Sequence, residues 1–89
     1  VVITNPTHLA IALRYEVDDE EGAPMVLAKG AGYIAEKIIE IAKGNDIPVI
    51  EDKPVTQLIY KHVEINEEIP PELYKAVAEI LAMVYRLRR

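Results

Sequence analysis

The sequence predicts a compact, single α/β domain over residues 1–89, with a small four-stranded mixed sheet flanked by three to four helices. Three observations predict this fold. Short apolar stretches bounded by turn-forming residues occur four times, as expected of strands. Longer stretches with helical spacing lie between and after them. A length of 89 residues is also enough for one modest hydrophobic core.

The strand patterns lie mostly in the first half of the chain. Residues 1–4 (VVIT) and 8–15 (HLAIALRY) read as two strands on either side of the tetrapeptide Asn-Pro-Thr-His at 5–8, which predicts a turn between them. Residues 25–29 and 47–50 predict the third and fourth strands. The acidic stretch before the third strand reads as a solvated connector.

The first helix is predicted at 32–43, after a tight strand-to-helix passage at Gly30 and Gly32. Gly44-Asn45 is a natural helix stop. The spacing predicts that Ile34, Ile38 and Ile41 face the core. It predicts that the four charged residues face solvent, namely Glu36, Lys37, Glu40 and Lys43. The strand–helix–strand order predicts a right-handed crossover and a parallel strand pair.

Two further helices follow. Asp52 is a candidate N-cap for a helix over 54–62, and a connector at 63–69 leads to a last helix over 72–88, after Pro70-Pro71. Six residues form the apolar stripe of this last helix: Leu73, Val77, Ile80, Leu81, Val84 and Leu87.

Composition excludes most kinds of active site. The formal net charge of −5 argues against a nucleic-acid or anionic-membrane surface. There is no cysteine and no serine, so Thr4, Thr7 and Thr56 are the remaining aliphatic hydroxyl nucleophiles. Two histidines, His8 and His62, are too few for a usual zinc site. We therefore expect no metal and no cofactor.

Two further patterns bear on the class of protein. Gly30 and Gly32 lack the rest of a phosphate-binding loop, so nucleotide binding is not expected. No run of about 18 apolar residues is present to span a membrane. The chain begins Val-Val-Ile without methionine, and we expect it to be a fragment of a longer protein.

The Asn5-Pro6 pair allows an unusual reaction. Proline has no N–H, so the backbone attack that causes deamidation is blocked. The side-chain Nδ2 of Asn5 can instead attack its own backbone carbonyl, forming a succinimide and releasing the Pro6 amine. Preorganisation can contribute about 7–11 kcal/mol to such a step, and a donor on the carbonyl oxygen about 3–4 kcal/mol. His8 is a candidate base, and Thr7 can supply a hydroxyl or N–H.

An ordinary turn is the alternative. Asn-Pro is a common turn opener, because asparagine side chains accept hydrogen bonds from the nearby backbone. On that interpretation His8 simply begins a strand. The residue chemistry by itself leaves both interpretations open.

The whole chain resembles the cytoplasmic C-terminal domain of the FlhB/YscU/SpaS family of type III secretion. The resemblance runs through NPTH and AIALRY, then AP and VLAKG, and the EKIIEIAK helix. It continues through IPVIEDKPV, LIYKHVEI and IPPELYKAVAEILAMVYRL, and it is closer to the flagellar branch than to the injectisome branch.

The resemblance implies a membrane-anchored export-gate component at the cytoplasmic face of the bacterial inner membrane. It implies self-cleavage at Asn5–Pro6, with Thr7 and His8 shaping the turn, and fragments 1–5 and 6–89 that stay associated. It also implies a switch from rod and hook subunits to filament subunits. The implied partners are export substrates, the hook-length control protein, and other export-gate and export-ATPase components. This is one self-reaction per molecule, not turnover.

Two points stay open at this level. The family commonly has Pro-Leu-Ala-Arg where this chain has residues 54–57 (PVTQ), so Gln57 lacks the usual charge. The alternative function is a non-cleaving interaction module of an injectisome-type apparatus.

A second surface is predicted for export substrates. Ala23 and Pro24 are small apolar residues outside regular structure, and Ala78 and Leu81 lie about one turn apart on the last helix. If the loop packs beside that helix, these four residues form a shallow apolar patch. The alternative is that Ala78 and Leu81 only close the core.

Overall fold

One mixed sheet organises the computed structural model, which describes residues 1–6, 8–15 and 23–87. The strands are β1 (Val2–Asn5), β2 (Leu9–Arg14), β3 (Met25–Ala31) and β4 (Val49–Glu51). Their order is β3-β2-β1-β4. The predicted four-stranded mixed sheet is confirmed, and β1 is one of its two central strands.

The register places β1 between two different kinds of neighbour. It pairs antiparallel with β2, from Val2↔Ala12 to Asn5↔Leu9. It pairs parallel with β4, from Val2↔Val49 to Thr4↔Glu51. Every residue of β1 is buried, as expected of a strand flanked on both edges and covered on both faces.

The first helix, α1 (Tyr33–Gly44), crosses from one edge strand of the sheet to the other. Because β1 and β2 lie between β3 and β4, the parallel neighbour of β4 is β1 and not β3. The helix ends as predicted: Asn45 is the C-cap residue, and its Nδ2 donates to the carbonyl of Ile41 at 2.8 Å.

The second helix, α2 (Lys53–His62), begins as predicted at Asp52, whose Oδ1 accepts from the Val55 N–H at 3.2 Å. The last helix differs from the prediction at its start. A 3₁₀ turn at Pro71–Leu73 precedes α3 (Tyr74–Leu87). No helix in the described ranges combines the length and the apolar character that crossing a membrane needs.

The larger core lies between the sheet, α2 and α3. The predicted stripe of α3 is confirmed, since four of its residues are buried and Leu73 packs against them, while the Leu87 side chain lies outside the described residues. The buried members of this core are Ile3, Ile11, Leu13, Val26, Val55, Ile59, Val63, Ile69, Val77, Ile80 and Leu81.

The predicted core face of α1 is wrong for two of its three isoleucines. Ile34 is 53% exposed and Ile41 is 61% exposed, whereas Ala35 and Ala42 are the buried residues of the helix. Ile38 is half-buried at the boundary between these two stripes.

The reason lies in the sheet surface that α1 covers. Ala35 and Ala42 form a small core with Val2 and Ala10, and the half-buried Ala12 packs against it. Small side chains on both sides let the helix lie close to the strands, and close contact favours alanine over isoleucine at the interface.

Candidate functional site

Pro6 and His8 lie in the turn that follows β1 and precedes β2, where the sequence predicts one. Asn5 is the last residue of β1 and pairs with Leu9 of β2. The backbone N–H of His8 donates to the carbonyl oxygen of Asn5 at 3.0 Å. This bond from the fourth to the first residue is the bond of a β-turn. Thr7 lies outside the described residues.

The two residues of the Asn5–Pro6 bond differ in environment. Asn5 is only 5% exposed, while Pro6 is exposed to solvent. The His8 side chain is exposed as well. The bond therefore joins an ordered, buried strand end to a residue at the protein surface.

The carbonyl oxygen of Asn5 belongs to the Asn5–Pro6 peptide bond, and so it is the oxygen on which charge develops if that carbon is attacked. A backbone N–H aimed at such an oxygen stabilises the developing negative charge. The donor is the main chain of His8, so this hydrogen bond does not involve the imidazole.

Thr4, the residue before Asn5, is held by the strands on both sides of β1. Thr4 pairs with Ala10 of β2 and with Glu51 of β4, and its carbonyl accepts from the Asp52 N–H at 2.9 Å. A strand end held on both sides restricts the backbone around Asn5, which is what an intramolecular attack needs.

A further backbone contact reaches the turn from the residue that precedes α1, and sequence reasoning missed it. The N–H of Gly32 donates to the carbonyl of His8 at 3.0 Å. The sequence marks Gly32 as a strand-to-helix passage, but only the register between β2 and β3 shows which residue it meets. The pairing Leu9↔Ala31 brings the two together.

The two other candidate hydroxyl nucleophiles in the described part of the chain, Thr4 and Thr56, are buried. Thr56 is fully buried and its hydroxyl donates to the Asp52 carbonyl at 2.6 Å. Thr4 is also buried, while His62 is exposed on α2. Within residues 1–6, 8–15 and 23–87, no three His, Cys, Asp or Glu side chains are placed to hold a metal ion.

The four predicted partner-binding residues differ in accessibility. Ala78 is exposed on α3, Leu81 is 8% exposed and belongs to the larger core, and Ala23 and Pro24 are half-buried. The carbonyl of Pro24 accepts from the Ile69 N–H at 2.7 Å, so this loop lies against the segment that leads into α3. Their binding role stays a prediction.

Gln57, where the sequence departs from the usual family pattern, is exposed on α2. Its neighbours Val55 and Thr56 are buried. The missing positive charge is therefore a difference at the surface and leaves the core unchanged.

Fold and turn together define a class of protein: a small α/β domain with an Asn-Pro turn at the end of a central strand. The model of the FlhB HrpN YscU SpaS family matches residues 1–84. The chain belongs to this family, which confirms the resemblance drawn from the sequence.

Two curated relatives show how similar the family members are. The flagellar biosynthetic protein FlhB of Escherichia coli (strain K12) is 46% identical over 89 residues, which is 100% of this chain and 23% of that protein. FlhB of Aquifex aeolicus (strain VF5) is 54% identical over 84 residues, covering 94% of this chain and 24% of that protein. The chain thus spans about a quarter of the length of these relatives.

Solved structures share the fold. The cytoplasmic domain of FlhB from Shewanella putrefaciens has a TM-score of 0.90 and 37% identity, covering 98% of this chain and 66% of that one. A mutated C-terminal domain of EscU has a TM-score of 0.85 and 33% identity, covering 92% of this chain and 86% of that one. These matches confirm the predicted fold class.

Proposed function

We propose that this chain is the cytoplasmic, specificity-controlling domain of a flagellar type III export component, and that it cleaves itself at Asn5–Pro6. The flagellar assignment is supported by FlhB relatives that are 46% and 54% identical. The cleavage proposal is carried by one observation: the carbonyl of the Asn5–Pro6 bond accepts a hydrogen bond from the His8 N–H at 3.0 Å.

The proposed reaction is a cyclisation. Nδ2 of Asn5 forms a bond to the backbone carbonyl carbon of the same residue, and the bond from that carbon to the Pro6 nitrogen breaks. One Nδ2 proton is lost and the Pro6 nitrogen gains one, so no other reactant is consumed. The products are a chain ending in a C-terminal succinimide at position 5 and a chain beginning with the free secondary amine of Pro6.

The fold supports three requirements of this step. The strand ladders on both sides of β1 hold the Asn5 backbone, the His8 N–H stabilises charge on the carbonyl oxygen, and the exposed Pro6 releases its amine into water. We propose that Thr7 and His8 shape the turn, as the family resemblance implies. The imidazole of His8 is exposed and remains available as a base in solution.

The same arrangement supports the proposal that the two fragments stay together. Cleavage at this bond would leave β1 whole within the fragment of residues 1–5, and we expect β1 to keep its pairing with both β2 and β4. Val2 and Ile3 remain buried on opposite faces of the sheet. Such a break removes a turn and leaves the sheet and its cores in place.

The test of cleavage is the denatured intact mass of the freshly purified chain, extended upstream by a short tag. We expect two masses, one for the tag through Asn5 and one for residues 6–89. With a succinimide end, their sum equals the mass of the uncut chain. Hydrolysis of that end adds the mass of one water.

Two variants assign the reaction to Asn5. Asn5→Ala removes the attacking nitrogen, and we expect a single uncut mass. Asn5→Gln keeps the amide but lengthens the side chain by one methylene, so the preorganised attack is lost and cleavage slows strongly. A single mass for the unmodified chain after prolonged incubation would contradict the proposal and favour the non-cleaving interaction module.

We further propose that export substrates of the rod and hook type, the hook-length control protein and other export-apparatus components bind this domain, at the cytoplasmic face of the inner membrane. For substrates the candidate surface is the patch of Ala23, Pro24, Ala78 and Leu81. Ala78 is the informative position because it is exposed. A change at Leu81 disturbs the core as well.

We expect Ala78→Asp to abolish pull-down of a purified rod- or hook-type subunit while self-cleavage continues. Ala82→Asp is the matched control, because Ala82 is also exposed on α3 one turn later. Equal loss of binding in both variants would contradict a local patch. Loss of binding and cleavage together in Ala78→Asp would make it a folding residue.

A further inference from the structure

We propose that Gly32 is a positioning residue for the cleavage at Asn5–Pro6, acting through its backbone on His8. This inference rests on the proposed function, and it assigns part of the cleavage machinery to the junction between β3 and α1. Gly32 itself does not touch the reacting atoms.

His8 connects Gly32 to the Asn5 carbonyl through two backbone hydrogen bonds. The His8 N–H donates to the carbonyl of Asn5 at 3.0 Å, and the His8 carbonyl accepts from the Gly32 N–H at 3.0 Å. His8 is therefore held on both sides of its backbone. Its own side chain is exposed, so these main-chain contacts are what direct its N–H at the carbonyl oxygen.

Gly32 is held in turn by α1. Its carbonyl accepts from the Glu36 N–H at 3.1 Å in the first turn of the helix. The helix is fixed on the sheet by its buried residues Ala35 and Ala42. Gly32 thus links His8, just before β2, to the packed helix α1 through two hydrogen bonds. The position of the His8 backbone depends on these bonds.

The backbone conformation at position 32 requires glycine. Its φ of 56° and ψ of −122° are those of the first central residue of a type II′ turn, which L-amino acids rarely adopt. A Cβ added at Gly32 meets nothing within 4 Å. Alanine at this position therefore conflicts with the backbone angles alone, and relaxing that conflict turns the N–H away from His8.

The experiment measures the first-order cleavage rate of the newly translated, tagged chain by pulse–chase. We expect Gly32→Ala to cleave about tenfold to a hundredfold more slowly, because small misplacement around a reacting centre has effects of this size. Gly44→Ala is the matched control. It is the same substitution at the other end of α1, with open space and no positive φ, and we expect the unmodified rate.

Two more chains separate positioning from stability. A chemically assembled chain with glycolic acid at position 32 replaces the N–H by an ester oxygen and keeps the backbone freedom, and we expect it to be slow as well. Ile80→Val trims a buried α3 residue distant in sequence from the turn and lowers stability without touching this contact, so its folded form should cleave at the unmodified rate.

The outcomes are distinct. Unmodified rates for Gly32→Ala and for the glycolate chain, while Asn5→Ala stays uncut, overturn the positioning role and leave the proposed function intact. Equal slowing in Ile80→Val at the same loss of melting temperature also overturns it. An unmodified chain that never cleaves overturns the proposed function itself.

Discussion

The His8 N–H can be removed without removing the rest of the turn, and this is the sharpest test of the proposed activation of the Asn5–Pro6 bond. His8→Pro deletes the N–H that donates to the Asn5 carbonyl at 3.0 Å, because proline has none. His8→Ala deletes the imidazole and keeps the N–H. The His8 carbonyl, which accepts from Gly32, is present in both variants.

The structure sets the expected size of each effect. One donor on a developing oxyanion contributes about 3–4 kcal/mol to the transition state, which corresponds to a rate factor of about 10²–10³. We therefore expect His8→Pro to cleave that much more slowly. A general base contributes typically about 10²–10⁴-fold, but the imidazole is exposed and we expect His8→Ala to lose less than about tenfold.

The assay is the same pulse–chase, with folding of each variant checked by its melting temperature. A chain with the α-hydroxy analogue of histidine at position 8 removes the N–H while avoiding the conformational restriction that proline places on the residue before it. The reasoning is refuted if His8→Pro and this ester chain cleave as fast as His8→Ala. It is equally refuted if His8→Ala is the slowest of the three, since the imidazole then carries the reaction.

Further predictions concern stability and the family departure. Asp52→Ala should destabilise the domain by about 1 kcal/mol through loss of the α2 cap, lowering the melting temperature by about 4–8 °C. Ile59→Ala should lower the free energy of unfolding by about 2–5 kcal/mol, because it leaves a cavity in the core. Ile41→Ala, at an exposed position, should change that free energy by no more than about 0.5 kcal/mol. Denaturant unfolding measures both. Gln57→Arg, also exposed, should change neither stability nor cleavage rate beyond error.

Features set by neighbouring residues were predictable from the sequence. The Asn-Pro turn needs only four residues and the strands beside them, and the structure places it between β1 and β2. The Asp52 cap is likewise local, because the side chain bonds an N–H three residues on. In both cases the residues that decide the structure are adjacent in the chain, and no knowledge of the sheet is needed.

The face of α1 was not predictable by hydrophobic spacing alone. Its sequence contains two overlapping stripes, and isoleucine is the more apolar choice at Ile34 and Ile41. The sheet decides otherwise, since its covered face carries small residues such as Ala10 and a close helix needs Ala35 and Ala42. Packing complementarity between elements outweighs the hydrophobicity of a single element here.

The contact between Gly32 and His8 could not be predicted for a different reason. The two residues are far apart in sequence, and they meet because β2 and β3 pair in the register Leu9↔Ala31. A shift of one residue in that register moves the glycine N–H away from His8 and turns each side chain to the other face. Backbone contacts of this kind depend on the assembled sheet, even when every local element is assigned correctly.

The central position of β1 limits what cleavage at Asn5–Pro6 can change. Burial of Val2 and Ile3 contributes about 1.5–3 kcal/mol for each side chain, so we expect the proposed cleavage to leave both strand ladders paired. The new ends, however, lie where Asn5 is buried and Pro6 is exposed. If the proposed cleavage occurs and the new end hydrolyses, a carboxylate at position 5 is unfavourable in that buried site, and we expect the strand end to shift toward solvent. The proposed cleavage would therefore change the end of the sheet near His8 and Gly32, and we expect a partner that distinguishes the cut from the uncut form to contact that end of the domain.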